Sequence, residues 1–222
     1  AASDVYKRQS VSFEVRRGST HALVGESGSG KTTLARILLG FERADAGQVT
    51  IDGIDAGHLS REAQRQLRRK IQFVYQNPFA SLDPRQTLFA IIEEPLKNFE
   101  RLSAATRRQR VESVAARVAL APELLSRTPR ELSGGQKRRV AVAGVMAMKP
   151  RILVLDEPAA GLDPEGRDEI LSEVKEYHKK TGTTVLLVSH SMEDIAKYAD
   201  RVLVMSNKKI AMYDTVENVF AR

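Results

Sequence analysis

The residues with the clearest chemical potential form a glycine-rich stretch near the start of the chain. Residues 25–32 read Gly-Glu-Ser-Gly-Ser-Gly-Lys-Thr and match the phosphate-binding pattern G-x-x-x-x-G-K-S/T. Its glycines let backbone N–H groups converge on phosphate oxygens, and a following helix adds the positive end of its dipole. The pattern predicts that Lys31 reaches the β- and γ-phosphates and that the Thr32 hydroxyl binds Mg²⁺. The candidate nucleotide-binding residues here are Gly25, Glu26, Ser27, Gly28, Ser29, Gly30, Lys31, Thr32 and Thr33.

A second group with chemical potential is a pair of carboxylates at the end of an apolar run. Residues 152–155 read Ile-Leu-Val-Leu and are followed by Asp156 and Glu157. A carboxylate at a strand tip suits Mg²⁺, directly or through water, so Asp156 is the candidate metal partner. Glu157 is then placed to polarise a water molecule for attack on the γ-phosphate. A strand that ends in acids is common for ordinary turn reasons, but together with the phosphate-binding loop this pair indicates nucleotide hydrolysis.

Such a loop must join a strand to a helix, and the sequence supplies both. The apolar run at residues 21–24 predicts the strand, and Leu34, Ile37 and Leu38 recur at helical spacing up to Gly40. Further strands are predicted at residues 11–15, 49–51, 71–75, 152–155, 185–188 and 202–205. Helices are predicted around residues 88–96, 111–118, 170–177 and 195–199. Strands that alternate with helices predict an α/β fold with a parallel sheet, into which a helical stretch is inserted.

Composition excludes several classes of protein. The chain has 222 residues and no cysteine, which excludes disulfide frameworks, thiol nucleophiles and cysteine–zinc sites. The longest run without a polar side chain, residues 140–148, has nine residues, whereas a membrane span needs about twenty. Aromatic residues make up 5% of the chain and tryptophan is absent, so stacking platforms for single-stranded nucleic acid are poorly supplied.

The net charge of +7 is unevenly distributed. Residues 1–136 carry 21 basic and 15 acidic side chains, whereas residues 137–222 carry 14 and 13. The basic side chains of the first part are mostly arginine, and those of the second are more often lysine. An excess of this kind indicates either an anionic partner or a solvated basic exterior with one phosphate site.

Four further motifs carry a resemblance to a known family. Residues 132–136, Leu-Ser-Gly-Gly-Gln, resemble the signature sequence of ABC-type ATPases. The other marks of that family stand in order: Gln76 before Asn-Pro, Gly-Leu-Asp at residues 161–163, and His190. The resemblance covers residues 11 to about 219 and implies a P-loop NTPase with a mixed, mostly parallel core sheet, a small antiparallel β subdomain and an inserted α-helical subdomain. The implied ATPase domain, residues 11–220, has its core at 11–78 and 137–220 and its helical insertion at about 79–136.

The resemblance also implies how the site works. Two ATPase subunits would bind ATP and Mg²⁺ between them, head to tail, with the phosphate-binding loop of one facing the signature of the other. Glu157 and His190 would act in catalysis together with Lys31, and Gln76 would contact both the metal and the attacking water. The residues implied to face the phosphate-binding loop from the second subunit are Ser133, Gly134 and Gly135, and Gln136 and Asp163 are further implied nucleotide-binding residues. Without the family, Ser-Gly-Gly after Leu132 is an ordinary helix N-cap.

Two parts of the chain resemble different branches of this family. Residues 75–84, Tyr-Gln-Asn-Pro-Phe-Ala-Ser-Leu-Asp-Pro, resemble dipeptide and oligopeptide importer ATPases, as does the chain from 11 to 136. Residues 138–144 and 189–194 resemble energy-coupling-factor transporter ATPases, as does the chain from 137 to 220. Residues 1–9 resemble translated adapter sequence, so residues 1–10 are predicted to be a non-native leader. We hypothesise two related genes joined near Gln136; a natural hybrid or a divergent branch is the alternative.

The resemblance implies the ATP-hydrolysing subunit of a membrane importer for peptides, or for vitamins or metal ions. Its expected partners are a second ABC ATPase subunit and transmembrane permease subunits, and its expected location is peripheral, at the cytoplasmic face of the membrane. No specific nucleic acid is expected. The alternative is a soluble ABC ATPase that acts on nucleic acid or ribosomes, which the net charge of +7 would tolerate.

Overall fold

A six-stranded sheet organises the fold in the computed structural model, which describes residues 11–75 and 82–221. The strands are β1 Thr20–Gly25, β2 Thr50–Ile51, β3 Ile54–Asp55, β4 Ile71–Val74, β5 Ile152–Asp156, β6 Thr184–Val188, β7 Arg201–Ser206 and β8 Lys209–Thr215. The helices are α1 Lys31–Leu38, α2 Arg61–Lys70, α3 Leu88–Phe99, α4 Ala104–Arg117, α5 Gly134–Ala147, α6 Pro164–Thr181, α7 Met192–Tyr198 and α8 Val216–Phe220.

The strand order in the main sheet is β4-β5-β6-β1-β7-β8. Neighbours from β4 to β7 are parallel, and β8 is antiparallel to β7. β2 and β3 form a separate antiparallel pair. Strands β1, β5 and β6 are almost continuously buried, as expected for a parallel sheet with helices on both faces. Leu23 and Asp156 both pair with Val188, so the carboxyl ends of β1, β5 and β6 meet at one edge.

Helices α3, α4 and α5 share one apolar core with the side of the sheet that contains β4, β5 and β6. On α3, Leu88, Ile92 and Leu96 recur every four residues, and all three side chains have no exposed surface, as expected for one face of a helix. Helix α5 runs without interruption through residue 136, so the boundary predicted there falls inside a helix. The division into core and insertion stays a prediction.

One predicted strand is not found in the described fold, and helix α2 was not predicted. Residues 11–15 do not form a strand in the described part of the chain, so that prediction is wrong. Apolar and polar side chains alternate in this segment because Val11 and Phe13 pack against the core around β1. The carbonyl of Glu14 accepts a hydrogen bond from the Tyr213 hydroxyl. The sequence of α2 shows no apolar periodicity because Leu67 is its one buried residue.

Candidate nucleotide-binding and hydrolysis site

The phosphate-binding loop lies where predicted, between the end of β1 and the start of α1. Gly25 has a φ of 150°, and a side chain there would collide with the carbonyl oxygen of Met205, so the turn requires glycine. Gly30 precedes α1 with a φ of 100°, and the backbone N–H groups of the first turn of α1 have no partner within the helix. These N–H groups are therefore available to bind an anion.

Lys31 closes the mouth of this loop. Its ammonium donates hydrogen bonds to the carbonyl oxygens of Gly25 at 2.7 Å and Glu26 at 2.9 Å. Both acceptors are neutral carbonyls at the edge of the loop, and a phosphate oxygen would be a stronger partner for a cation. Lys31 is therefore held at the place where the pattern predicts that a β- or γ-phosphate binds.

Thr32 and Asp156 meet beside the loop. The Thr32 hydroxyl donates a hydrogen bond to Asp156 Oδ2 at 3.4 Å, and Asp156 is only 4% exposed. Burial, reinforced by the neighbouring charge of Glu157, raises the pKa of the Asp156 carboxyl, against the lowering effects of Thr32 and Lys31. A hydroxyl and a buried carboxylate are hard oxygen ligands of the kind that Mg²⁺ prefers, and a divalent cation would offset the cost of burying this charge.

The number of protein ligands in this pair also suits a magnesium site. In the described residues, no group of three or more His, Cys, Asp or Glu side chains could hold a metal ion. Mg²⁺ differs from structural metals in that it is usually held by one or two carboxylates together with phosphate oxygens and water. The Thr32 hydroxyl and the Asp156 carboxylate therefore fit Mg²⁺ bound together with a nucleotide.

Glu157 and His190 form the second part of the site. Glu157 has a φ of 51°, an uncommon conformation for a residue with a side chain, and its N–H is anchored to the carbonyl of Val188 at 2.9 Å. Its side chain is 12% exposed, and its Oε1 lies 2.8 Å from Nδ1 of His190. His190 follows β6, the strand next to β5, so the parallel topology explains how residues 33 positions apart come into contact.

The signature residues lie at the start of α5. The Ser133 side chain accepts from the Gln136 N–H, and the Gln136 side chain accepts from the Ser133 N–H, forming a capping box. Ser133 and Gly134 are exposed. Within residues 11–75 and 82–221, no hydrogen bond or ion pair joins residues 133–136 to the phosphate-binding loop. The described chain thus assembles Lys31, Thr32, Asp156, Glu157 and His190 in one region but does not connect the signature to them.

Two further predicted residues have different outcomes. Asp163 lies exposed at the start of α6, where its side chain caps the helix by accepting the Gly166 N–H at 3.0 Å. Gln76 lies outside the described residues. Arg138, which the sequence reasoning did not select, is 4% exposed and donates a hydrogen bond to the carbonyl of Ala160. Its spacing of four residues from the apolar Val142, which places both on one face if the segment is helical, was the available signal.

Comparison with known proteins decides the family. Residues 8–160 match the profile of the ABC transporter family. The chain belongs to this family. The prediction from residues 132–136 and the motifs around them is therefore confirmed, and so is the P-loop NTPase fold with a mostly parallel sheet, a small antiparallel sheet and helices.

Two relatives of this ABC ATPase are named as ATP-binding proteins of transporters. The energy-coupling factor transporter ATP-binding protein EcfA2 of Symbiobacterium thermophilum is 44% identical over 212 residues, which cover 96% of this chain and 72% of the relative. A probable peptide ABC transporter ATP-binding protein of Sinorhizobium fredii is 36% identical over 214 residues, covering 96% of this chain and 61% of the relative. Both alignments cover nearly the whole chain, and the hypothesis of a gene junction near Gln136 stays a hypothesis.

Two solved structures have the same fold. The structure of cbiO1 from Clostridium perfringens, part of the ABC transporter complex cbiONQ, matches with a TM-score of 0.86 and 32% identity over 95% of this chain and 82% of that chain. The dimeric post-hydrolysis state of the ATP-binding cassette MJ0796, bound to ADP and Pi, matches with a TM-score of 0.85 and 29% identity over 93% and 89%. This chain is thus an ATP-binding subunit of a transporter. None of its described helices is both long and apolar enough to cross a membrane.

Proposed function

We propose that this ABC ATPase binds ATP with Mg²⁺ and hydrolyses it to ADP and phosphate at the carboxyl edge of its parallel sheet. One observation carries the proposal: Lys31, Thr32, Asp156, Glu157 and His190 are brought to that edge from three adjacent strands and are held there by specific contacts. No other group of side chains in the described chain combines a phosphate-binding loop, metal ligands of the magnesium type and a carboxylate base.

Each of these residues then has a role. Backbone N–H groups of residues 25–33 and the Lys31 ammonium would bind the phosphates, and Lys31 would exchange its two carbonyl partners for phosphate oxygens. Thr32, Asp156 and Gln76 would hold the metal ion. Bound Mg²⁺ would neutralise charge on the β- and γ-phosphates. Glu157 would accept a proton from the attacking water while the water oxygen bonds to the γ-phosphorus and ADP departs.

His190 has two ring nitrogens, and the contact with Glu157 uses one of them. A neutral ring that donates Nδ1–H to the Glu157 carboxylate has a lone pair, not a proton, on Nε2. It therefore cannot donate to a γ-phosphate at the same time. We infer that a neutral His190 breaks its hydrogen bond with Glu157 when it donates to ATP. The Glu157 carboxylate is then available to the attacking water.

The second ATPase subunit would complete the site. The starts of α5 and α6 hold Ser133, Gly134, Gly135, Gln136 and Asp163. Among the residues that the structure describes, no hydrogen bond or ion pair joins these five to the phosphate-binding loop of their own chain. A hydroxyl, closely approachable glycines and a helix N-terminus suit a γ-phosphate presented by a partner. The related cassette MJ0796 is described as dimeric in two matching structures, which supports pairing of two subunits here.

The transporter is proposed to be an importer. Its relatives are named as energy-coupling factor and peptide transporter ATP-binding proteins, and cbiO1 is described as part of a transporter complex. We propose that this subunit lies at the cytoplasmic face of the membrane against permease subunits, which carry the substrate. Action on nucleic acid, the alternative, has no observation in its favour beyond the net charge of +7.

The test is phosphate release by the purified chain with ATP, with and without Mg²⁺. Glu157→Gln is expected to slow turnover by a factor of about 10² to 10⁴, the usual contribution of a general base, while ATP binding persists. Lys31→Ala is expected to weaken ATP binding itself. Glu176→Gln, on the exposed side of α6, is the control and should leave turnover unchanged. Near-normal turnover by Glu157→Gln would remove Glu157 from its role, and ATP affinity unchanged by Lys31→Ala would remove Lys31.

A further inference from the structure

Arg138 is a buried cation on α5, one turn beyond the signature residues. Its side chain is 4% exposed, and one guanidinium N–H donates to the carbonyl oxygen of Ala160. Burial lowers the pKa of this guanidinium, because removing a cation from water is costly. An apolar side chain would fill the same space without that cost, so the hydrogen bond to Ala160 needs an explanation.

Ala160 belongs to the turn that leads from Glu157 to α6. The Ala160 N–H donates to the carbonyl oxygen of Glu157 at 3.1 Å, and the Leu162 N–H donates to the carbonyl oxygen of Ala159 at 3.3 Å. Ala160 therefore contacts the Arg138 guanidinium through its carbonyl oxygen and the backbone of Glu157 through its N–H. Glu157 is also the residue with the uncommon φ of 51°, a conformation that persists only when its surroundings hold it.

Two neighbours of Arg138 on α5 make separate contacts with the segment that contains Leu162 and α6. Gly135, Arg138 and Arg139 lie three and four residues apart, which places them on one face of α5. A methyl group added at Gly135 would lie 3.8 Å from Leu162 Cδ2, and Arg139 forms an ion pair with Glu169 on α6. Of these three contacts, the one made by Arg138 ends on the backbone of the turn that carries Glu157.

We propose that Arg138 is a positioning residue for ATP hydrolysis, holding the Ala160 carbonyl so that Glu157 and the signature residues keep a fixed relation. The inference rests on the proposed function, because it assumes that Glu157 is the base. It extends that function by linking the residues that act on a subunit's own ATP to those that reach the partner's ATP. Arg138 acts through the turn and is not a nucleotide ligand.

The activity test compares Arg138→Met, Arg138→Lys and the control Arg139→Gln. Methionine keeps an unbranched apolar stem but removes the donors, whereas lysine restores one charged donor without the planar fork of arginine. Arg138→Met is expected to lower kcat for ATP by about tenfold or more, because displacing a catalytic group by about 1 Å can lower the rate by about 10²-fold. The KM for ATP should stay within about threefold, and Arg138→Lys should recover part of kcat. Arg139→Gln removes a neighbouring ion pair and should leave kcat within about twofold.

Amide hydrogen exchange provides a readout that does not depend on activity. In Arg138→Lys and Arg138→Met, the amides of Ala160 and Leu162 should exchange faster by about tenfold, while amides in the middle of α6 exchange as in the unmodified chain. A residue that only stabilised the fold would raise exchange throughout α5 and α6. If Arg138→Met does not fold, Arg138→Lys alone decides by the same two measurements.

The outcomes separate the two hypotheses. Unchanged kcat, together with unchanged exchange at Ala160 and Leu162, would overturn the role of Arg138. Loss of kcat with a proportional rise in KM, or with exchange increased throughout both helices, would overturn it as well. If the unmodified subunit and its Glu157→Gln variant release phosphate equally, the proposed function fails, whereas the exchange result still judges the Arg138 contact.

Discussion

Acidification should lower the stability of the fold through His21, which lies buried in the central strand β1 with 1% of its surface exposed. Its Nε2 lies 2.7 Å from the Ser19 hydroxyl and accepts the Arg16 N–H at 3.3 Å, while its Nδ1 lies 3.1 Å from the Tyr213 hydroxyl. Burial, followed by the charge of Arg201, lowers the pKa of His21 from 6.5 to about 4. Arg16 acts in the same direction as Arg201.

The sign and size of the effect follow from this pKa. Asp200 opposes the lowering but does not reverse it. As the pH falls, His21 binds a proton in the unfolded chain near pH 6.5 but in the folded chain only near pH 4. Its contribution to stability is therefore complete above pH 6.5 and is lost progressively as the pH falls through this window. Proton linkage gives a loss of about 2 kcal/mol between pH 7.5 and pH 5, and about 3 kcal/mol by pH 4.

The assay is urea unfolding followed by circular dichroism at pH 7.5 and pH 5, for the unmodified chain and for His21→Gln. Glutamine does not titrate, and its side-chain oxygen can accept the Arg16 N–H in place of Nε2. The loss of unfolding free energy on acidification should be smaller in His21→Gln by about 2 kcal/mol. Comparing the two losses cancels the titration of buried carboxyls such as Asp156 and Asp194. An equal loss in both proteins would refute the assignment of a lowered pKa to His21.

The parts of the fold that could be predicted are those that a local pattern determines. The phosphate-binding loop has an almost unique spacing, and β5, β6 and β7 are short apolar runs bounded by turns. From these runs and the helices between them, a parallel sheet follows, and with it a common edge for residues after β1, β5 and β6. Thr32 meeting Asp156 could therefore be anticipated from the sequence.

Other contacts depend on which surfaces meet, and a pattern of apolar residues does not state that. Whether the Arg138 guanidinium reaches water or the Ala160 carbonyl depends on how α5 packs against the turn before α6. The contact of His190 with Glu157 is of the same kind, because it depends on the rotamers of two loop residues. Helix α2 was not predicted for a different reason: a helix with one buried residue has few apolar residues at helical spacing.

Two substitutions at the site separate stability from catalysis. Burial raises the pKa of Asp156, so its carboxylate lowers the stability of the fold at neutral pH. Asp156→Asn should therefore raise the free energy of unfolding in urea at pH 7.5 and abolish the added protection by ATP with Mg²⁺. A lower free energy of unfolding in Asp156→Asn without ligand would contradict this. Ser133→Ala removes the capping box of α5 and should cost about 1 kcal/mol in the same assay. Ser133→Asp keeps an N-cap acceptor and should retain that stability, yet it places a negative charge where the partner's γ-phosphate is proposed to bind. Phosphate release should therefore fall far more in Ser133→Asp than in Ser133→Ala, and equal or greater activity in Ser133→Asp would exclude that contact.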